Sequence, residues 1–133
     1  AGLLDLGRSL TGRDVARAQA HRQIFASRFA VMMADVDLIA MPTLPAVVPT
    51  VDAIMAMLAE GSTEFGRFTI PPDMTGHPAI SLPMGMDDAG HPIGLQFTGQ
   101  HLGEDCLLRV AHHYQCVTDW HTRWPELQDS AAI

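Results

Sequence analysis

Lysine is absent from this sequence: the eight basic residues are Arg8, Arg13, Arg17, Arg22, Arg28, Arg67, Arg109 and Arg123. A mechanism that needs a lysine as general base, Schiff-base former or phosphate clamp is therefore beyond this chain by itself. Charge is scarce as well, at 17% of residues, and a net charge of −7 leaves no basic stripe for nucleic acid. No apolar run reaches the roughly 18–20 residues of a membrane-spanning helix, so no membrane partner is expected. The opening AGLLDLGRSLTGRD lacks a basic start followed by an apolar stretch, so no secretory signal is expected. Its beginning at Ala rather than Met points to processing or truncation. Cysteine is nearly absent too. Cys106 and Cys116 fall ten residues apart in one expected helix, which separates them by about 15 Å along the axis. A disulfide tolerates at most about 7 Å between Cα atoms. Both thiols should be reduced, which suits a cytoplasmic protein.

What remains is apolar and structured. Of 133 residues 47% are hydrophobic, enough to build a core and too many for a disordered chain. No repeat, low-complexity tract or linker divides residues 1–133, which read as a single partial domain. From about Leu10 to Ala34 the apolar residues Val15, Ala18, Phe25, Phe29, Met32 and Met33 follow a helical period. Thr11 or Ser9 can cap that helix, and Asp14 suits its positive end. Val36 to Met41 is the short apolar run of a buried, often parallel, strand, and Pro42, Pro45 and Pro49 then force an extended exit. A short helix is expected over Val51 to Leu58, and EGSTEFG reads as a loop. A helical piece follows over Phe68 to Thr75, opened by Pro71 or Pro72 and stopped at Gly76.

Ala79 to Met86 and Ile93 to Gly99 read as the antiparallel arms of a hairpin around the turn Asp87-Asp88-Ala89-Gly90. Pro83 inside the first arm implies an edge or a bulge. A last helix begins near Gly103, with Leu107, Val110, Ala111, Tyr114 and Val117 facing inward. Trp120, Trp124 and Pro125 form a tail expected to pack back on the body. Helix, strand, helix, hairpin and helix in this order describe part of a layered α/β fold.

Several constellations invite a chemical reading. Asp73, His77 and Ser81 recur every four residues, yet Pro78 ends any helix before Ser81, so the spacing carries no triad geometry. His112 and Cys116 stand at i, i+4, a spacing that can hold a metal, with His113 and His121 nearby. The simpler reading is a polar helix face with histidines favoured at its C-terminal end. Neither Asp35 with Asp37 nor Asp87 with Asp88 falls on an obviously buried concave surface of the kind acid/base work needs, and Asp87-Asp88 reads most simply as a hairpin turn. Gly85, Gly90 and Gly94 form no phosphate-binding loop. Eight methionines are read as fillers of irregular core gaps. Nothing here calls for a cofactor or a metal.

Taken together, the strings resemble the C-terminal third of an amidase-signature hydrolase. LGRSLTGRDVARAQAHRQIFASRF is similar to that family's long helix, and VDLIAMPTLPAVVP to the strand and proline exit that follow it. RFTIPPDMTGHPAISLPMG is similar to the family's aromatic-Thr, Pro and TG-x-PA-x-x-x-P run. HPIGLQFTGQHLGEDCLLRVAHHYQ is similar to its P-I-G-L-Q strand and acidic-capped final helix. The resemblance implies a mixed β-sheet with helices on both faces, and hydrolysis of a carboxamide C–N bond by a Ser–cis-Ser–Lys triad.

In relatives that machinery lies well before the region seen here. This chain has no lysine and no Gly-Gly-Ser-Ser-like run, and Ser9, Ser27, Ser62, Ser81 and Ser130 match none of the catalytic positions. No catalytic residue is carried over. What the resemblance does carry over is a substrate-pocket wall at Gly66, Arg67, Ile70 and Asp73. Family members commonly have Asn where Asp73 stands, which replaces an amide by a carboxylate. Glutamine-specific relatives, the tRNA-dependent amidotransferase subunits, place an acidic residue near Gly66; its absence speaks against free glutamine. The implied partners are the N-terminal part of the amidase, or a second copy through exposed strand edges and apolar helix faces, and a small amide substrate. A non-catalytic binding or scaffold module of the same fold is the alternative.

Overall fold

Thr11 decides how the chain begins to fold. Its Oγ1 accepts from the Asp14 backbone N–H at 3.3 Å, and the Asp14 carboxylate accepts from the Thr11 N–H at 2.9 Å. This reciprocal capping box satisfies two orphan donors. A separate, unexpected helix, α1 (Gly2–Ser9), precedes the cap, and the box opens α2 (Gly12–Met33), close to the helix expected from about Leu10 to Ala34. The structure is a computed structural model and describes residues 2–124; Pro125 and Ser130 lie outside the described residues. After α2 come β1 (Leu38–Pro42), α3 (Val51–Ala59), a single 3-10 turn (Glu64–Gly66), α4 (Ile70–Thr75), β2 (Ala79–Met86), β3 (Pro92–Gly99), α5 (Glu104–Val117) and a second 3-10 turn (Trp120–Thr122).

The three strands form one antiparallel sheet in the order β1-β3-β2. The apolar run 36–41 reads as a buried strand of the parallel kind. Its strand, β1, instead lies antiparallel to β3 at an edge of the sheet, with Leu38 opposite Gly99 and Pro42 opposite Leu95. The reason is topological: its partner is the returning arm of the hairpin, and Ala40 is left exposed. The hairpin itself follows its turn chemistry. Gly90 takes φ 83°, while one oxygen of Asp87 accepts from the N–H groups of Ala89 and His91 at 2.9 and 2.8 Å. The His91 backbone and ring, with the Ala89 N–H, hold the Asp87 carboxyl below its ordinary value. Pro83 cannot donate to the ladder, and the register slips there between Pro83 and Gly85 as a bulge.

Alternation along the strands gives the sheet two unlike faces. Ile80, Leu82, Leu95 and Phe97 point to one side, where Leu107 and Ala111 of α5 complete the core and Tyr114 meets Phe97 edge-on. Leu107 is 3% exposed, a burial that contributes about 1.5–3 kcal/mol. The other face carries Gln96 and Thr98, both buried. The Gln96 amide donates to the Phe68 carbonyl at 2.8 Å, which anchors the segment before α4 to that side.

Two expected inner faces are only partly covered. On α2 just Phe29 and Met33 are buried, while Val15 and Met32 are half exposed and Phe25 lies at the surface. The helix meets the body from its midpoint onward, through Arg22, Phe29 and Met33, while Val15, Ile24, Val31 and Met32 are exposed. On α5, Val117 is exposed because it is the helix's last residue and the chain turns away there. Trp120 lies partly buried in a turn that packs on β2, but Trp124 is exposed instead of packing back.

Candidate functional site

Three prolines in eight residues, Pro42, Pro45 and Pro49, keep the chain after β1 extended, since proline fixes φ and cannot join a helix interior. The resulting rib, residues 42–49, stands between two clefts. The first, of about 240 Å³, lies between the rib and the hairpin, with Thr43, Ser81, Met84, Asp87 and Gly94 in its lining. The second, of about 300 Å³, lies between the rib, Met57 of α3 and the turn that carries Glu64, Phe65 and Arg67. Both are lined mainly by aliphatic and proline side chains with few polar groups, the usual make-up of a small-molecule cleft.

On the floor of the first cleft the hydroxyls of Thr43 and Ser81 are hydrogen-bonded at 2.5 Å. They come from residues 38 positions apart, brought together because Thr43 and Ser81 flank β3 from either side. Thr43 N–H donates to the Gly94 carbonyl at 2.8 Å. Gly94 has to be glycine for this: a Cβ there would lie 2.5 Å from Thr43 Oγ1 and 3.0 Å from Ser81 Oγ. The partner of Ser81 is another hydroxyl rather than an imidazole or amine, so the pair can hold a ligand polar group but is not an activated nucleophile. Sequence reasoning missed this pair. The proline spacing marks the rib, but only the strand register brings Thr43 to Ser81.

Of the four expected pocket residues, Arg67 is in the lining of the second cleft. Gly66 ends the 3-10 turn, and a Cβ on it would come within 2.8 Å of Ile70 Cδ1, so these two are in direct contact. Arg67 lines the cleft, and its guanidinium lies 3.6 Å from the Glu64 carboxylate at the surface. Ile70 opens α4, half-buried, and Asp73 stands exposed in the first turn of that helix. The structure thus brings Gly66, Arg67 and Ile70 together around one corner and leaves Asp73 facing water. Position 66 has no carboxylate, but Glu64 places one two residues away, so nothing in this corner speaks against free glutamine.

Asp73, His77 and Ser81 stay apart: His77 Nδ1 bonds Thr75 Oγ1, Ser81 bonds Thr43, and Asp73 is on another element. On α5 the His112 ring stands 3.6 Å from the Cys116 sulfur, and no group of three or more metal-ligating side chains occurs among the described residues. Cys106 and Cys116 are both free. No helix among the described residues is long and apolar enough to cross a membrane.

Comparison with known proteins gives this architecture a context. A family profile described as Amidase matches residues 4–108. The chain is 39% identical over 115 residues to a glutamyl-tRNA(Gln) amidotransferase subunit of Thiobacillus denitrificans, covering 83% of this chain and 22% of that protein. Among solved structures, 6-aminohexanoate cyclic dimer hydrolase complexed with substrate superposes with a TM-score of 0.81 at 30% identity, over 90% of this chain and 27% of that one. The allophanate hydrolase of Kluyveromyces lactis shares the fold, with a TM-score of 0.76 at 19% identity over 87% of this chain and 19% of its own. The chain spans less than a quarter of the length of the curated relatives it matches.

Proposed function

The chain belongs to the amidase family, and on that premise we propose that it is the C-terminal part of an enzyme that hydrolyses a carboxamide C–N bond. The observation that carries this reading is the family match over residues 4–108 in a chain without a single lysine. The rest of the enzyme would supply the lysine, the bridging serine and the nucleophilic serine. This part contributes the three-stranded sheet, its helices and one wall of the substrate pocket, formed by Gly66, Arg67, Ile70 and Asp73. Gly66 leaves room for Ile70, which presents an apolar surface to the acyl portion of the amide. Arg67, in the lining of the second cleft beside Glu64, offers a cationic group to a polar end of the substrate. By itself the chain hydrolyses nothing by the family mechanism. Its free thiols suit the reducing cytoplasm.

A second reading, a non-catalytic binding or scaffold module of the same fold, is favoured by the same lack of lysine. Native mass spectrometry of the purified protein, followed by denaturation of the same sample, separates the two. A second polypeptide containing lysine supports the amidase, and adding that polypeptide back to the isolated chain should restore amide hydrolysis. Finding only the 14.4 kDa chain, alone or self-paired, together with no gain of activity on adding a lysine-bearing N-terminal portion, would leave the scaffold reading.

A further inference from the structure

Neither cleft uses the histidine pair at the meeting point of α2, α4, β2 and the turn from β3 into α5. His77 follows the α4 cap at Gly76, which takes φ 75°, and precedes Pro78, so its backbone is held on both sides. Its ring is 5% exposed. Phe29 of α2 meets it edge-on at 4.9 Å between centroids, and the His101 ring stacks on it at 3.8 Å with the planes 32° apart.

The hydrogen bonds around it favour one tautomer. Thr75 has one hydroxyl proton, which it donates to the Pro71 carbonyl at 2.9 Å. With that proton so placed, the Thr75 oxygen is left to accept from His77 Nδ1, 2.8 Å away, an arrangement that favours a proton on Nδ1. Burial of the ring favours its neutral form, with the lone pair on Nε2. A further proton at Nε2 would put a charge among buried rings, beside a second imidazole able to take the same charge.

We propose that the His77–His101 pair is a pH-sensitive latch that holds the C-terminal end of α2 on the body of the protein. The groups around it offer no compensation for an added charge. From α2 the facing side chain is Phe29, and the nearest cation along that helix with a tie to this region, Arg22, donates through Nε to the Met74 carbonyl at 2.6 Å. From α4 it is Thr75, with Asp73 exposed to solvent. From the turn before α5 it is His101 itself. No carboxylate is hydrogen-bonded or ion-paired to either ring among the described residues. Burial first, and the charge on His101 second, hold the His77 pKa below its ordinary value, in keeping with the geometry.

The sign follows by linkage. Above the ordinary histidine value of about 6.5 the ring is neutral whether α2 is docked or not, and the latch is closed. Below it the released ring takes a proton that the docked ring resists, so docking weakens as pH falls, by at most about tenfold per pH unit for one proton. The remaining ties of α2, the Arg22 bond and the Gln100 amide donating to the Met33 and Val36 carbonyls, do not titrate in this range.

Hydrogen exchange on the full chain tests the latch. After correction for intrinsic rates, protection of α2 amides from Phe25 to Met33 should fall between pH 7.5 and 5.5, while α5 amides hold theirs. In the same protein, NMR should find His77 as the Nδ1–H tautomer, titrating below its ordinary value. His77→Phe keeps the ring and should abolish the pH dependence of α2 protection. Should that variant fail to fold, His101→Phe decides, since it removes the neighbouring charge and should raise the His77 pKa while leaving the tautomer unchanged. Equal protection of α2 at both pH values, a His77 that titrates at or above its ordinary value, or an unchanged pH slope in His77→Phe would each overturn the proposal.

Discussion

The two long helices of this protein are built from similar material and end in different situations. α5 lays Leu107 and Ala111, 3% and 5% exposed, into a core completed by Leu82 and Phe97. α2 is longer, with 22 residues against 14, yet Ile24 is 53% and Val31 73% exposed. Its docking is confined to Phe29, Met33 and a few hydrogen bonds from Arg22 and Gln100. A helical period therefore says where an apolar stripe runs, and nothing about what covers it. Among the described residues, nothing covers the apolar stripe of α2 at Ile24 and Val31.

Substitutions sharpen that contrast. The largest effect should come from Leu107→Ala, which empties a fully packed site and should lower stability by about 2–5 kcal/mol in chemical denaturation. Gly99→Ala approaches the same contact from the sheet. A Cβ there would lie 3.0 Å from Leu107 Cγ, and such overpacking should cost about 1–3 kcal/mol, with α5 amides exchanging faster. A gain in stability would mean that Leu107 has room to move, and the helix is less firmly seated than its burial indicates.

The α2 side of the comparison should respond more weakly. Thr11→Ala removes the capping box and should cost about 1 kcal/mol, read as fraying of the first turn of α2 with the hairpin unchanged. Acid should act on the same box. The Thr11 hydroxyl and backbone N–H hold the Asp14 carboxyl below its ordinary value of 3.8. The box is thus fully formed above that pH and is lost as pH falls through the lower folded value, a loss that Thr11→Ala should abolish in a helicity titration. Smallest of all, Ile24→Ser should change the stability of the isolated chain by no more than about 0.5 kcal/mol, while reducing self-association and apolar-dye binding. Sedimentation of the unsubstituted chain as a single monomeric species that binds no dye would break the comparison, because the exposed stripe would then need no partner.

Local chemistry was legible in the residues. Thr11 capped its helix through a hydroxyl and a carboxylate three positions apart, and Pro83 produced the bulge that a missing N–H demands. Gly76 ended α4 in the left-handed conformation that side chains disfavour, and Asp87 with Gly90 made the hairpin turn. The hydrophobic period placed α5 and its inner face, apart from Val117 at its end. Of the residues expected at the pocket wall, Gly66 and Ile70 touch within one turn of chain.

Other features depend on partners distant in sequence, and no local pattern encodes them. The meeting of Thr43 and Ser81 over Gly94, the antiparallel seating of β1, and the stack of His77 on His101 each follow from strand register and from how helices dock on the sheet. The exposure of most of α2 belongs to the same class. By itself the sequence determined which segments become helix, strand or turn, and that no lysine chemistry can come from this chain, because those follow from backbone geometry and from residue identity. Only the tertiary structure decided which hydroxyls and rings meet and which apolar faces stay open, because distant residues become neighbours through packing.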